Sequence, residues 1–214
     1  VTAAVFDFDG LLADTEPLWA LAEESFVVEH GGRWAPELRR YTHGRSVADS
    51  AVALAAHAGA DLSAEAAEAD LLRHFEAAAG RGTVPLLPGA LAVLAASAGT
   101  PLAVASNTPA ALLGKMLERT GIRDRFGAVV GAGDALAAKP APDVYLAACR
   151  ALGVPPERAY ALEDSQPGVD AALAAGLSVI GVNSDPDVRL TGCRRVASLT
   201  ELLPTRPGDP LWPG

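Results

Sequence analysis

The chain is poor in cysteine, in lysine, in aromatic residues and in unbroken apolar runs, and it carries no excess of positive charge. Its two cysteines, Cys149 and Cys193, lie far apart. They match neither a metal-binding nor a redox spacing, which argues against a disulfide scaffold and points to a reducing, cytoplasmic setting. The formal net charge of −9 argues against a nucleic-acid partner or an anionic membrane surface. It leaves room for a small anionic substrate, because a local cation can reverse the sign inside a pocket. The apolar stretch from Ala90 to Ala105 is interrupted by Gly99-Thr100-Pro101, so it reads as helix, turn and strand rather than as a membrane span. No basic or signal-like segment precedes the first apolar run. Aromatic residues make up only 5% of the chain while half of it is apolar. With alanine abundant, that composition suits helices packed closely on a sheet, and 214 residues suffice for one domain with a sizeable insertion.

What is present is organised in two blocks. Ala3-Ala4-Val5-Phe6 reads as a short buried strand. Pro17 to His30 is patterned as a helix, with Pro17 suited to its first turn. Ser46 opens a second helix, with Asp49 three residues on as a short variant of a capping box, and Ser63 opens a third that runs to about Ala79. The first block carries no convincing strand and ends in the hinge-like run Gly80-Arg81-Gly82-Thr83. From Leu86 the pattern changes to alternation: helix from Gly89 to Ala98, strand from Leu102 to Ala105, helix from Pro109 to Thr120, strand from Ala128 to Val130, helix from Pro142 to Leu152. Strand Tyr160 to Leu162, helix Pro167 to Ala175 and strand Ser178 to Val182 follow. Such alternation predicts an α/β core with a parallel sheet covered on both faces. Ser198 and Glu201 form a capping box for a last unit reaching Leu203, and the tail with Pro204, Pro207, Pro210 and Pro213 reads as irregular. The expected division is a core of residues 1–14 and 86–214 and an all-helical insertion of residues 15–85.

Ligands of open parallel sheets bind beyond the carboxyl ends of the strands, and four features fall there. Asp7-Phe8-Asp9-Gly10 follows the first strand. At a spacing of two, both carboxylates leave one face, so one can serve as nucleophile or metal ligand while the other handles a proton. Ser106-Asn107-Thr108 follows the second strand. There a hydroxyl and backbone N–H groups can hold phosphate oxygens or simply cap the next helix. Lys139, one of only two lysines, sits between an Ala-rich loop and Pro140. It reads either as a fixed cation beside a phosphoryl group or carboxylate, or as a surface charge; the other lysine, Lys115, reads as solvated. Glu163-Asp164-Ser165 ends the strand at Leu162; adjacent acids there can ligate Mg²⁺, and Asp164 or Ser165 can cap the following helix.

In this order, Asp7-Phe8-Asp9-Gly10-Leu11-Leu12, Ser106-Asn107, Lys139-Pro140 and Glu163-Asp164-Ser165 resemble the four motifs of the haloacid dehalogenase (HAD) superfamily. The likeness runs to about Asn183, and the helical insertion is similar to the family's small cap domain. Asp14-Thr15-Glu16-Pro17-Leu18-Trp19 and Pro85-Leu86-Leu87-Pro88-Gly89 look most like the branch of beta-phosphoglucomutase and sugar-phosphate phosphatases. The resemblance implies a Rossmann-like parallel sheet core with a small all-helical cap inserted after the first strand. It implies that Asp7 forms an aspartyl-phosphate and that Asp9 is general acid and base. It also implies Mg²⁺ held by Asp7, the Asp9 carbonyl and Asp164 with Glu163 at hand, and phosphoryl oxygens held by Ser106, Asn107 and Lys139.

Departures from the family's patterns narrow the activity. Dehalogenases resemble this scaffold but lack the second acid, here Asp9. Phosphonate-cleaving relatives use a cap lysine, and Thr15 to Pro85 contains none. By the same resemblance, Trp19 stands where the mutases carry a cap histidine and Val47 where they carry a phosphate-binding arginine. The expectation is therefore a phosphatase of a small phosphorylated metabolite such as a sugar phosphate. A beta-phosphoglucomutase-type mutase is the alternative, and a catalytically silent binding protein a more distant one. Trp19, His43, Arg45 and Arg73 are candidate cap contacts to the leaving group, with Trp19 equally able to pack the cap helix. Arg33, Arg39 and Arg40 read as a solvated face, and a monomer is the default assembly.

Overall fold

A computed structural model describes residues 3–42, 45–81, 84–133 and 136–204. The chain opens with β1 (Ala3–Phe6) and continues through α1 (Glu16–Glu29), α2 (Val47–Ala58) and α3 (Ala64–Arg81). Helices and strands then alternate: α4 (Ala90–Ala96), β2 (Leu102–Ser106), α5 (Ala110–Arg119), β3 (Ala128–Gly131), α6 (Asp143–Leu152), β4 (Ala159–Glu163), α7 (Gln166–Ala174), β5 (Ser178–Val182) and β6 (Arg194–Val196). The chain divides into two compact units, one of Val1–Asp14 with Pro85–Gly214 and one of Thr15–Val84.

The first unit is a six-stranded parallel sheet in the order β3-β2-β1-β4-β5-β6. Every residue of β1 is fully buried, because the strand lies in the middle and is covered on both faces. Alanines at positions 3, 103, 105, 161 and 172 leave room for α6 and α7 to approach the sheet. The strand order reverses between β1 and β4, which is where doubly wound sheets open a crevice at their carboxyl edge. Register carries the chemistry to that edge. Phe6 pairs with Val104 and with Leu162, so Asp7 and Glu163 emerge side by side, and the Asp7 N–H donates to the Leu162 carbonyl at 3.0 Å. Where the chain leaves and re-enters this unit, Ala13 pairs with Leu86, and the Leu87 N–H donates to the Leu12 carbonyl at 2.9 Å.

The helical unit buries Phe26, Leu54, Leu71 and Phe75. Ser46 caps α2, accepting from the Asp49 N–H at 3.1 Å; the Ser46 hydroxyl also donates to the Asp49 carboxylate, so the return arm runs side chain to side chain. A polar network joins α1 to α3: Arg73 donates to Glu29 at 2.8 Å and to Asp70 at 2.7 Å, and His30 lies 2.7 Å from Asp70. No helix among the described residues is long and apolar enough to cross a membrane.

Several expectations change. β6 carries two exposed arginines and one buried residue, Val196, so its sequence lacks the apolar run that marks a strand. Pro36–Tyr41 forms a 3-10 turn, and within it Arg39 is paired with Glu16 and lies 3.8 Å from Glu23, so it is not part of a solvated face. The last unit is a 3-10 turn, Leu199–Leu202, in which Ser198 accepts from the Thr200 N–H and Glu201 reaches back to the Ala197 N–H rather than to that of Ser198. His43, Gly82, Thr83 and the proline-rich tail beyond Pro204 lie outside the described residues.

Candidate active site

Asp7, directly after β1, is buried and accepts from Lys139 Nζ at 2.6 Å through Oδ1. The same ammonium donates to Glu163 Oε1 at 2.6 Å, so Lys139 bridges the two acids. The loop that carries it is tied down by Asn107: its side-chain oxygen accepts from the Lys139 N–H at 2.7 Å, and its amide nitrogen lies 3.5 Å from the Lys139 carbonyl. The Lys139–Pro140 peptide bond is cis. Lys139 is only 6% exposed, which removes the surface-charge reading.

Asp9 has different surroundings. Its Oδ2 accepts from the hydroxyls of Ser106 and Thr108, both at 2.9 Å, and the Ser106 oxygen in turn accepts from the Thr108 N–H at 2.9 Å. Ser106 therefore serves Asp9 and the local turn here.

The Glu163-Asp164-Ser165 run divides its labour. Ser165 is the cap of α7, accepting from the Gly168 N–H at 3.3 Å. Glu163, fully buried, also takes the Tyr145 hydroxyl at 2.6 Å and the Ser165 hydroxyl at 3.2 Å. Asp164 turns its carboxylate toward Gly10, and Asn183, just after β5, donates to the Asp164 carbonyl at 2.9 Å. Two glycines make this possible. Gly10 has φ +79°, and a Cβ on it would overlap the Asp164 carboxylate; a Cβ on Gly168 would overlap that of Glu163.

Carboxylate oxygens of Asp7, Glu163 and Asp164 lie within 4.8 Å of one another, which fits a bound metal ion. The electrostatics point the same way. Burial, reinforced by Glu163 and Asp9 and partly relieved by Lys139, pushes the Asp7 pKa up to about 8. Burial and the neighbouring charges of Asp7 and Glu163 raise Asp164 well above the carboxylate range. Burial works against the Lys139 ammonium, but its contacts with Asp7 and Glu163 outweigh that, and it holds its proton more tightly than a free lysine. Two buried acids and the half-buried Asp164 share one ammonium, a shortfall of positive charge that a divalent cation would offset. Hard oxygen donors of this kind suit Mg²⁺.

The cap candidates lie in the helical unit. Trp19 packs its ring on Phe75 within the helical unit, centroids 4.0 Å apart, Arg73 is engaged with Glu29 and Asp70, and Arg45 is an exposed residue before α2. Three residues of the rim escaped the reading of the sequence. Thr108 looked like part of a cap; its hydroxyl, one step beyond Ser106, was the available signal. Asn183 ends the apolar run of β5 just as Asp7 ends that of β1. Tyr145 is a tyrosine in an otherwise apolar stretch, and a buried phenol needs a polar partner.

A doubly wound parallel sheet with a DxD turn, a buried lysine and paired acids on its carboxyl rim defines a hydrolase built to handle phosphoryl groups. Residues 1–176 match the haloacid dehalogenase-like hydrolase family, and the chain belongs to it. It is 35% identical to the plasmid-encoded protein CbbY of Cupriavidus necator over 194 residues, covering 83% of this chain and 76% of that protein. It is 33% identical to hexitol phosphatase B of Escherichia coli over 220 residues, covering 94% of each chain. The crystal structure of a mutant CbbY from Rhodobacter sphaeroides, in complex with xylulose-(1,5)bisphosphate, superposes with a TM-score of 0.83 at 30% identity, over 94% of this chain and 96% of that one.

Proposed function

We propose that this chain, a HAD-like phosphatase, hydrolyses a small sugar phosphate through a phosphoryl group carried on Asp7. The observation that carries the reading is the buried Asp7–Lys139–Glu163 bridge beside Asp164, at the sheet's switch point. A dianionic phosphate approaches a carboxylate only if fixed positive charge cancels the repulsion, and Lys139 supplies part of it. When bound by Asp7, Asp164 and the Asp9 carbonyl, with Glu163 adjacent, Mg²⁺ would supply the rest by drawing charge from the phosphoryl oxygens.

In the first step an Asp7 carboxylate oxygen bonds to phosphorus, the bond from phosphorus to the sugar oxygen breaks, and the Asp9 carboxyl gives that oxygen its proton. In the second step water attacks phosphorus, the Asp9 carboxylate takes the water's proton, and the Asp7–phosphorus bond breaks to release phosphate. Ser106, the Asn107 backbone and Lys139 steady the phosphoryl oxygens between the steps. The named activity of the hexitol phosphatase and the bisphosphate held by the CbbY mutant support a sugar phosphate as the substrate class. The helical unit serves as the cap that selects the leaving group, with residues such as Trp19 and Arg45 on it.

The test is phosphate release from a panel of phosphorylated metabolites, with Mg²⁺ and with EDTA. Metal-dependent release from a few sugar phosphates is expected. Including beta-glucose 1-phosphate, and following glucose 6-phosphate as a separate product, makes the test decisive: isomerisation with little free phosphate would mean a mutase and overturn the reading.

A further inference from the structure

We infer that Tyr145 is a positioning residue of this reaction, fixing the Glu163 carboxylate as the anchor of Lys139. The inference rests on the phosphatase reading above and assigns a task within the same site.

Tyr145 lies in the first turn of α6 and is fully buried, in the core cluster that also holds Ala3, Val5, Ala103 and Ala161 of the sheet. A phenylalanine would fill that space as well, so packing does not explain the hydroxyl. Its partner does: the Tyr145 hydroxyl donates to Glu163 Oε1 at 2.6 Å, the same oxygen that accepts Lys139 Nζ at 2.6 Å. A carboxylate oxygen has two lone-pair directions, and both are used here. Oε2 accepts the Ser165 hydroxyl at 3.2 Å, and Gly168 lets the whole group lie against the turn into α7. The Tyr145 ring also borders the ammonium, with Lys139 Nζ 5.2 Å from its centroid.

The consequence is mechanical. Lys139 Nζ stands 2.6 Å from Glu163 Oε1 and 2.6 Å from Asp7 Oδ1. It can serve a phosphoryl group on Asp7 only while Glu163 stays where it is. Without the phenol, Oε1 has an unfilled direction in a buried site, and Glu163 is drawn toward any cation held by Asp7 and Asp164, taking Lys139 with it. Tyr145 thus keeps Glu163 an anchor of the lysine and leaves metal ligation to Asp7 and Asp164.

The experiment compares wild type, Tyr145→Phe, Glu163→Gln and the double variant on the best sugar phosphate of the panel, over a Mg²⁺ titration. Tyr145→Phe should lower kcat about 10- to 100-fold, the scale of a misplaced catalytic group, while KM changes less than about twofold and the Mg²⁺ concentration that half-raises Tm without substrate falls, as Glu163 joins the metal's ligands. Adding Tyr145→Phe to Glu163→Gln should cost little more, because the tyrosine acts through the acid. A kcat within twofold of wild type, or a loss that is additive in the double variant, overturns the inference. So does a Tyr145→Phe protein that no longer folds, since the hydroxyl would then be a structural brace. Wild type that releases no phosphate, or Asp7→Asn that still does, would instead remove the phosphatase reading beneath it.

Discussion

Asp7 and Asp9 sit two residues apart and are handled oppositely: one faces an ammonium, the other two hydroxyls. Different surroundings for neighbouring acids are how one turn can hold both a nucleophile and a proton carrier. Asp7→Asn should therefore reduce phosphate release to background while the protein still folds, as read by circular dichroism, and no phosphoenzyme should be trapped by acid quench. Asp9→Asn should behave differently according to the leaving group. For a sugar phosphate, whose alkoxide needs a proton, kcat should fall by about 10²–10⁴-fold, the usual worth of a positioned acid. For 4-nitrophenyl phosphate, which leaves without one, the fall should be much smaller. Equal losses on both substrates would remove Asp9 from the proton-transfer role.

Among the elements, the turn from β4 into α7 carries the tightest constraint. Glu163 ends the strand, Ser165 caps the helix, and Gly168 lies so close to the Glu163 carboxyl that no Cβ fits. Gly168→Ala should destabilise the protein by about 1–3 kcal/mol, the range for overfilling a packed site, and should cut turnover by moving Glu163. Gly114 in the middle of α5 has nothing within 4 Å of an added Cβ. Gly114→Ala should stabilise by about 0.5–1 kcal/mol, because a helical glycine gives up more backbone entropy than alanine. Urea unfolding of the two variants separates the effects; equal shifts would mean that the Glu163 contact does not constrain this turn.

For the whole molecule, the buried acids link stability to pH and metal. Burial raises the folded pKa of Asp7 to about 8, and that of Asp164 rises also, whereas an unfolded aspartate titrates near about 3.9. Between these values the folded state binds more protons than the unfolded one, so in EDTA this contribution to stability declines as pH rises from about 4 to about 8. A metal must displace those protons, so its binding strengthens over the same range. The gain in Tm on adding Mg²⁺ should thus be larger at pH 8 than at pH 6. A gain that is flat or shrinks with pH would mean the acids are not the metal's ligands.

The order of residues dictates what is local along the chain. Short apolar runs separated by helical periods dictated a parallel sheet, and Ser46 and Ser63 were recognisable as caps because a cap and its N–H lie three residues apart; the structure chose Ser165 over Asp164 as the cap of α7. The two acids of the first turn were legible because a strand's alternation orients residues two apart. β6 was not, since its neighbour β5 rather than its own apolar content makes it a strand. Which groups meet was settled by the folded packing. Lys139 reaches Asp7 across 132 residues, Thr108 reaches Asp9 across 99, and Tyr145 on α6 meets Glu163 at the end of β4. It also decided the pairings inside the helical unit: Trp19 packs on Phe75, and Arg39 pairs with Glu16. Such pairings depend on register and packing between distant segments, and periodicity along a single segment carries no trace of them.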